Sequence, residues 1–296
     1  MMRKSLKALP LVLSLLLLAP QTALAWDDTG HLLVSQIAYE RLTPAAKARV
    51  DALAKTIRFC GKTYEGATLG AWMDDIKADS THDDLRAWHY TDIPIFDGTP
   101  PDPKMQPGKE NAVERIVWAA DALRKGLGSD KKDAELLGYL FHLVGDIHQP
   151  LHAATRVTAT NRDGDAGGNE FKLAGLPEAD NLHSYWDSAA GSFHFWSPSR
   201  PLDARERRRL DAYARQIVAA NPADATAEAQ ELDPRKWAGE SNELARAVVY
   251  TLPENSTPTP AYEAKAQVLA RRRIALAGYR LSNLLNSIFA QTKAGG

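Results

Sequence analysis

The sequence predicts an all-α fold: a single, mainly helical domain over residues 26–296 behind a short N-terminal leader. Three observations predict it. Apolar residues recur at helical spacing in seven segments, no long stretch alternates as a strand does, and the interrupting Gly, Pro and Asn gather in two long loops. The chain has 296 residues, 44% apolar and 25% charged, with a formal net charge of −1. That length buries a large core, and the balance excludes a disordered chain, a polytopic membrane protein and a basic nucleic-acid coat. The lone cysteine, Cys60, excludes an intramolecular disulfide and a cysteine-based zinc knuckle.

The elements follow in order. Residues 1–25 read as a secretory signal peptide: Arg3, Lys4 and Lys7 open it, Ala8 to Ala19 is apolar, and Ala23-Leu24-Ala25 is a small-residue cleavage signal. The alternative, a membrane anchor, needs roughly 20 apolar residues, more than this core provides. Cleavage between Ala25 and Trp26 implies a secreted or periplasmic protein. It takes the net charge from −1 to −4, because the leader carries three basic residues and no acidic one. It also frees the α-amino group of Trp26, a metal ligand once deprotonated.

Helices are expected over Leu32–Leu42, Pro44–Ile57, Ala112–Leu127, Glu135–Ala154, Ala204–Ala220, Ser241–Leu252 and Ala261–Gln291. Thr43-Pro44 is a cap followed by a proline at the first helical position. The loops are Ile93–Gly108, with five prolines, and Val157–Asp180, rich in Gly, Asp and Asn. Loops this long in a compact fold tend to line functional sites.

The chemistry concentrates in His142-Leu143-Val144-Gly145-Asp146-Ile147-His148-Gln149-Pro150-Leu151-His152. On a helix, His142 and Asp146 share one face and present two ligands to one metal. Pro150 is expected to kink or end the helix and turn His152 toward the same cleft. His183 and Asp187 repeat the spacing. Upstream, Asp74 sits in an amphipathic stretch with Asp75 and Lys77, and His89 stands near Asp92. Each of these alone is commonly a surface ion pair or a satisfied core histidine; together, in short aromatic-flanked segments, they point to metal. Nitrogen and carboxylate donors without thiolate suit zinc, and ligand type alone also admits manganese or iron.

Trp26, Gly30-His31, Trp72-Met73-Asp74, His89-Tyr90-Thr91-Asp92, the run His142 to His152, Gly167-Gly168-Asn169 and Asn181 to Asp187 together resemble the zinc-dependent type I nucleases. These are single-strand-specific nucleases and 3′-nucleotidases, distantly related to the zinc-dependent phospholipases C. The resemblance implies a mainly helical domain with three Zn²⁺ in a cleft. Asp74, His89, His142 and Asp146 would hold one. The α-amino nitrogen and carbonyl oxygen of Trp26, His31 and a bridging Asp146 would hold the second, and His152, His183 and Asp187 the third.

Three such ions against three carboxylates leave about +3 in the cleft, which lets an acidic protein bind phosphodiesters. The expected reaction is in-line attack of a zinc-activated hydroxide on phosphorus, with 5′-phosphate products implied by the resemblance. Asp92 is a candidate to orient the attacking water, and Lys77 and Asn169 to bind phosphate oxygens. The expected substrates are single-stranded DNA and RNA and 3′-nucleotides. The alternative is phospholipid hydrolysis on the same site, alone or beside nuclease activity. Tyr90, Tyr185 and Trp186 are candidate base-stacking rings, Trp186 more readily a packing residue. His82, His148 and His194 have no metal-like spacing, and the Arg205–Arg209 and Arg271–Arg273 runs read as solvated helix faces.

Overall fold

A computed structural model describes residues 26–77, 79–126, 128–193, 196–222 and 227–290. The leader, His194 and the expected helix ends at Leu127 and Gln291 lie outside the described residues. The fold is mainly helical, as expected, with nine α-helices among the described residues. They are α1 Asp28–Glu40, α2 Pro44–Ala54, α3 Trp72–Ile76, α4 Ala112–Lys125, α5 Asp130–Asp146, α6 Leu182–Asp187, α7 Ala204–Ala220, α8 Pro234–Ala247 and α9 Pro260–Ala290. None of the helices searched is long and apolar enough to cross a membrane.

Side-chain caps set the helix starts. Asp27 accepts from Gly30 N, Thr43 from Ala46 N, Asn111 from Glu114 N, Ser129 from Lys132 N and Asn181 from Ser184 N. Each satisfies an amide that the first helical turn leaves without a partner. Three starts differ from expectation for this reason: α1 begins at Asp28 rather than Leu32, behind the Asp27 cap. Helix α5 begins at Asp130 rather than Glu135 because Ser129 caps it, and α8 begins at Pro234 rather than Ser241 because Asp233 caps a proline at the first position. Helix α5 also ends at Asp146, short of the expected Ala154; a separate 3-10 turn covers Pro150–Ala153.

Helix α1 packs against α9 and against the 3-10 turn Gly66–Ala71, and α4 packs on α5. A large core runs through Leu33, Phe141, Leu143, Trp237 and Leu281, and a smaller one through Leu151, Phe171, Leu182, Trp186 and Tyr262. Fully burying side chains of this size contributes about 1.5–3 kcal/mol each. The first long loop is not wholly irregular: β3 (Pro94–Phe96) within it pairs in parallel with β4 (Thr155–Val157), at the start of the second. Elsewhere a small antiparallel pair, β1 (Arg58–Phe59) and β2 (Lys62–Thr63), turns at Cys60. Cys60 is exposed.

Candidate metal centre

The expected ligand side chains gather in three groups: His31 with His142 and Asp146; Asp74 with His89 and His142; and His152 with His183 and Asp187. The first two share His142 and form one continuous cluster. His142 and Asp146, four residues apart near the end of α5, point to the same side, with His142 Nε2 3.1 Å from Asp146 Oδ2. His89, at the end of the 3-10 helix Ser80–His89, brings Nδ1 to 3.1 Å from the same oxygen. His31 on α1 brings Nε2 to 3.2 Å from the other oxygen, Oδ1. Asp146 therefore faces two groups with its two oxygens. Asp74 on α3 completes the cluster, Oδ1 lying 3.8 Å from His142 Nε2 and Oδ2 4.0 Å from His31 Nε2.

Backbone carbonyls aim the histidines. Nδ1 of His142 donates to Gly70 O at 2.6 Å, Nδ1 of His152 to His89 O at 2.7 Å, and Nδ1 of His183 to Gly167 O at 2.6 Å. A ring whose Nδ1 carries the proton presents a lone pair at Nε2, the arrangement metal-ligating histidines use. In the third group two such rings face each other. His152 Nε2 and His183 Nε2 stand 3.1 Å apart, with Asp187 oxygens 3.9 and 3.5 Å away. Two imidazole nitrogens and a carboxylate facing one another in a buried space form a group that could hold a cation. In the larger cluster, the buried atoms His31 Nδ1 and His89 Nε2 have no hydrogen-bond partner. The donor set and geometry fit metal.

The two clusters differ electrostatically. Burial opposes ionisation of Asp146, yet His142, His31 and His89 around it hold its carboxyl well below the usual range. Asp187 has no comparable support: burial raises its carboxyl well above the ordinary value, only partly offset by Gln149. Burial and the neighbouring His152 lower His183 to about 3. Both halves are tied to the N-terminal segment. Trp26 is fully buried, its Nε1 donates to Gly145 O at 2.9 Å, and Asp27 N donates to Asp187 O at 3.0 Å.

A family model described as S1/P1 nuclease matches residues 26–290. The chain belongs to the S1/P1 nuclease family. It is 25% identical to Nuclease S1 of Aspergillus oryzae over 96% of this chain and 99% of that protein. It is 23% identical to Nuclease P1 of Penicillium citrinum over 89% of this chain and 97% of that one. With Endonuclease 3 of Arabidopsis thaliana the identity is 25%, over 90% of each chain. The S1/P1 family is metal dependent, and its members support nucleic acid as the substrate class.

Of the remaining candidates in this S1/P1 nuclease, Lys77 touches a ligand. Lys77 Nζ lies 2.7 Å from Asp74 Oδ1, an i,i+3 pair in which the lysine is engaged with a ligand carboxylate. Asp92 is partly buried; burial, then Asp165, pushes its carboxyl up to about 6. Asn169 Nδ2 donates to Ala166 O at 2.7 Å. Of the aromatic candidates, Tyr90 is exposed, whereas Tyr185 and Trp186 are buried, Trp186 Nε1 donating to Tyr262 OH at 3.0 Å. Packing claims both because α6 carries the smaller core as well as His183 and Asp187.

One residue bonded to a candidate ligand escaped the sequence. Gln149 Nε2 donates to Asp187 Oδ1 at 2.7 Å while its Oε1 accepts from Leu151 N at 2.6 Å. It locks one carboxylate oxygen and caps the turn that carries His152. Gln149 directly precedes Pro150, which suits a cap before an N1 proline, but its reach to Asp187 has no local signal. Arg273, expected on a solvated face, is buried.

Proposed function

We propose that this S1/P1 nuclease is an exported zinc enzyme that cuts single-stranded DNA and RNA to 5′-phosphate products and also acts on 3′-nucleotides. The observation that carries the reading is the division of Asp146, with Oδ2 toward His89 and His142 and Oδ1 toward His31, beside a separate His152–His183–Asp187 group. Metal ions held by these groups would suit a phosphodiester, whose attacking, leaving and non-bridging oxygens all need charge. In the assignment, Asp74, His89, His142 and Asp146 would hold one zinc. Trp26, His31 and Asp146 would hold a second, and His152, His183 and Asp187 a third. Bound zinc supplies Lewis-acid charge for the phosphate and acidifies water.

The protein's own groups do the rest. Asp92, with its carboxyl near neutrality, orients the attacking water and exchanges a proton with it. Lys77 steadies Asp74 and adds positive charge beside the phosphate. The Asn169 amide lies on the loop whose Gly167 carbonyl aims His183, within the same part of the site. Tyr90 offers an exposed ring directly after His89 for an unpaired base. Trp26 contributes its freed α-amino nitrogen and its carbonyl, which makes leader removal between Ala25 and Trp26 a step in building the site.

The test is hydrolysis of single-stranded and double-stranded DNA, RNA, a 3′-nucleotide and phosphatidylcholine, each with chelator and after zinc restoration, with zinc content and intact mass measured on the same protein. The expected result is zinc-restored cutting of single strands, 5′-phosphate ends and a chain beginning at Trp26. Chelator-insensitive cutting overturns the metal reading, and equal rates on duplex overturn the strand preference. A variant keeping one residue before Trp26 is expected to lose the second zinc; full activity with three zincs overturns that ligand.

A further inference from the structure

We propose that a buried polar network on α8 and α9 sets the spacing between the two halves of the metal centre by gripping the turn Asp146–Gln149, and that His148 and Arg280 are positioning residues for the reaction. The proposal rests on the metal reading above but concerns residues outside every ligand set.

The turn is short and doubly committed. Asp146 ends α5 and serves the larger cluster, while Gln149, three residues on, holds Asp187 and starts the turn bearing His152. Any rotation of this turn moves one half of the centre against the other. A helix C-terminus leaves its last carbonyls without intrahelical partners, and here side chains from elsewhere take up several of them. Trp26 Nε1 donates to Gly145 O at 2.9 Å, Ser241 Oγ to Ile147 O at 2.6 Å and Arg273 Nε to His148 O at 3.1 Å.

The His148 ring closes the arrangement from within. Its Nδ1 donates to Val144 O at 2.7 Å, so that nitrogen carries the proton and Nε2 accepts from Arg280 Nη1 at 3.0 Å. Arg280 is itself fixed by a two-pronged pair with Glu240, 2.7 Å on each side, and by Nε donating to Glu228 O at 3.0 Å. Arg273 joins the same carboxylate at 3.0 Å and Ser241 Oγ at 2.8 Å. His148 and Arg280 are fully buried and Arg273 nearly so.

Such a network is a poor route to stability alone, since well-packed apolar residues of similar volume often do as well. What it provides is direction: planar forks and a ring of fixed tautomer hold a carbonyl track in one orientation. Two guanidiniums beside a helix C-terminus also suit its negative end.

The experiment uses the mature holoprotein, with His148→Leu, His148→Gln and Ser241→Ala beside wild type. Zinc is titrated into chelator-stripped protein, the cobalt-substituted spectrum is recorded, and kcat, KM and melting temperature are measured. His148→Leu is expected to weaken zinc binding and lower kcat by about 10–100-fold, the range for partners that orient ligands, with KM little changed and an altered cobalt spectrum. Gln offers one donor and one acceptor in place of the ring, so His148→Gln is expected to recover much of the loss. Ser241→Ala is expected to shift the same readouts in the same direction by less, and it decides the matter if His148→Leu does not fold. Wild-type zinc affinity, spectrum and kcat in a folded His148→Leu, or in Ser241→Ala if that protein fails, overturn the proposal while leaving the metal reading intact. A wild type that binds no zinc overturns both.

Discussion

In one half of the metal centre His31, Asp74, His89, His142 and Asp146 come from α1, α3, the end of a 3-10 helix and α5, and the shared carboxylate is surrounded by three imidazoles. In the other, His152 sits on a four-residue 3-10 turn and His183 and Asp187 on the six-residue helix α6. Regular helices position the first half, while the second depends on loop backbone: the Gly167 carbonyl, the Gln149 amide and the short β3–β4 pairing. The halves also differ in charge. Without metal, the histidines keep Asp146 ionised, whereas Asp187 is pushed toward its neutral form. The same donor types thus make one cluster whose carboxylate the histidines favour as an anion and one whose carboxylate burial disfavours.

The largest effect is expected from removing the shared carboxylate. Asp146→Asn takes away the group that faces two metal positions, and loss of activity by about 10²–10³-fold is expected, in line with removing a main electrostatic element of a site, together with loss of more than one zinc. Asp187→Asn is expected to release a single zinc and leave the larger cluster loaded. Zinc counted by mass spectrometry on the two purified proteins checks this, and equal zinc loss from both breaks the distinction.

A second expectation concerns metal-stripped protein and has opposite signs in the two halves. The Asp146 pKa is depressed on folding, so its contribution is present above about pH 4 and lost as pH falls through the folded value. The Asp187 pKa is raised, so keeping it buried costs stability increasingly as pH climbs from about 4 toward that raised value. At neutral pH, stripped Asp187→Asn is therefore expected to melt above stripped wild type and stripped Asp146→Asn below it. In a chain of this size each kcal/mol shifts the melting temperature by about 2–4 °C. Melting curves in chelator near pH 5 and pH 8 check the signs; an Asp187→Asn protein less stable than wild type at pH 8 removes the electrostatic contrast.

The same division explains what the sequence revealed. The pairs His142–Asp146 and His183–Asp187 were legible because four residues on a helix is a local relation. Thr43-Pro44 likewise marked the start of α2. The strands β3 and β4 were not legible, since three residues are too few to show alternation, β3 opens on a proline, and their partners lie far along the chain. His148 read as background for the same reason: spacing removed it from the ligand face, and the arginine that binds it is 132 residues away. Arg273 looked like one of a solvated run because nothing local shows that its side of α9 meets the turn after α5.

The smallest expected effects come from two glycines, one in each half. Gly145 lies within α5, and a β-carbon there would stand 3.0 Å from His31 Nδ1. Alanine suits a helix better than glycine by about 1 kcal/mol, so Gly145→Ala is expected to leave the melting temperature nearly unchanged while His31 shifts by a few tenths of an ångström and zinc in the larger cluster is held less tightly. Gly167 has φ of +63°, and a β-carbon there would come within 2.6 Å of Leu151 O. An L-residue in that conformation costs about 1–2 kcal/mol, and the contact is with backbone of the segment bearing His152. Gly167→Ala is therefore expected to lower the melting temperature and loosen zinc at His152, His183 and Asp187 together, because the carbonyl that aims His183 moves with it. Zinc titration and melting of both variants separate the cases: the first half answers through the position of one ring, the second through the backbone beneath all three ligands. A Gly167→Ala protein with unchanged stability and zinc affinity places the second half on a scaffold as independent of that loop as the first.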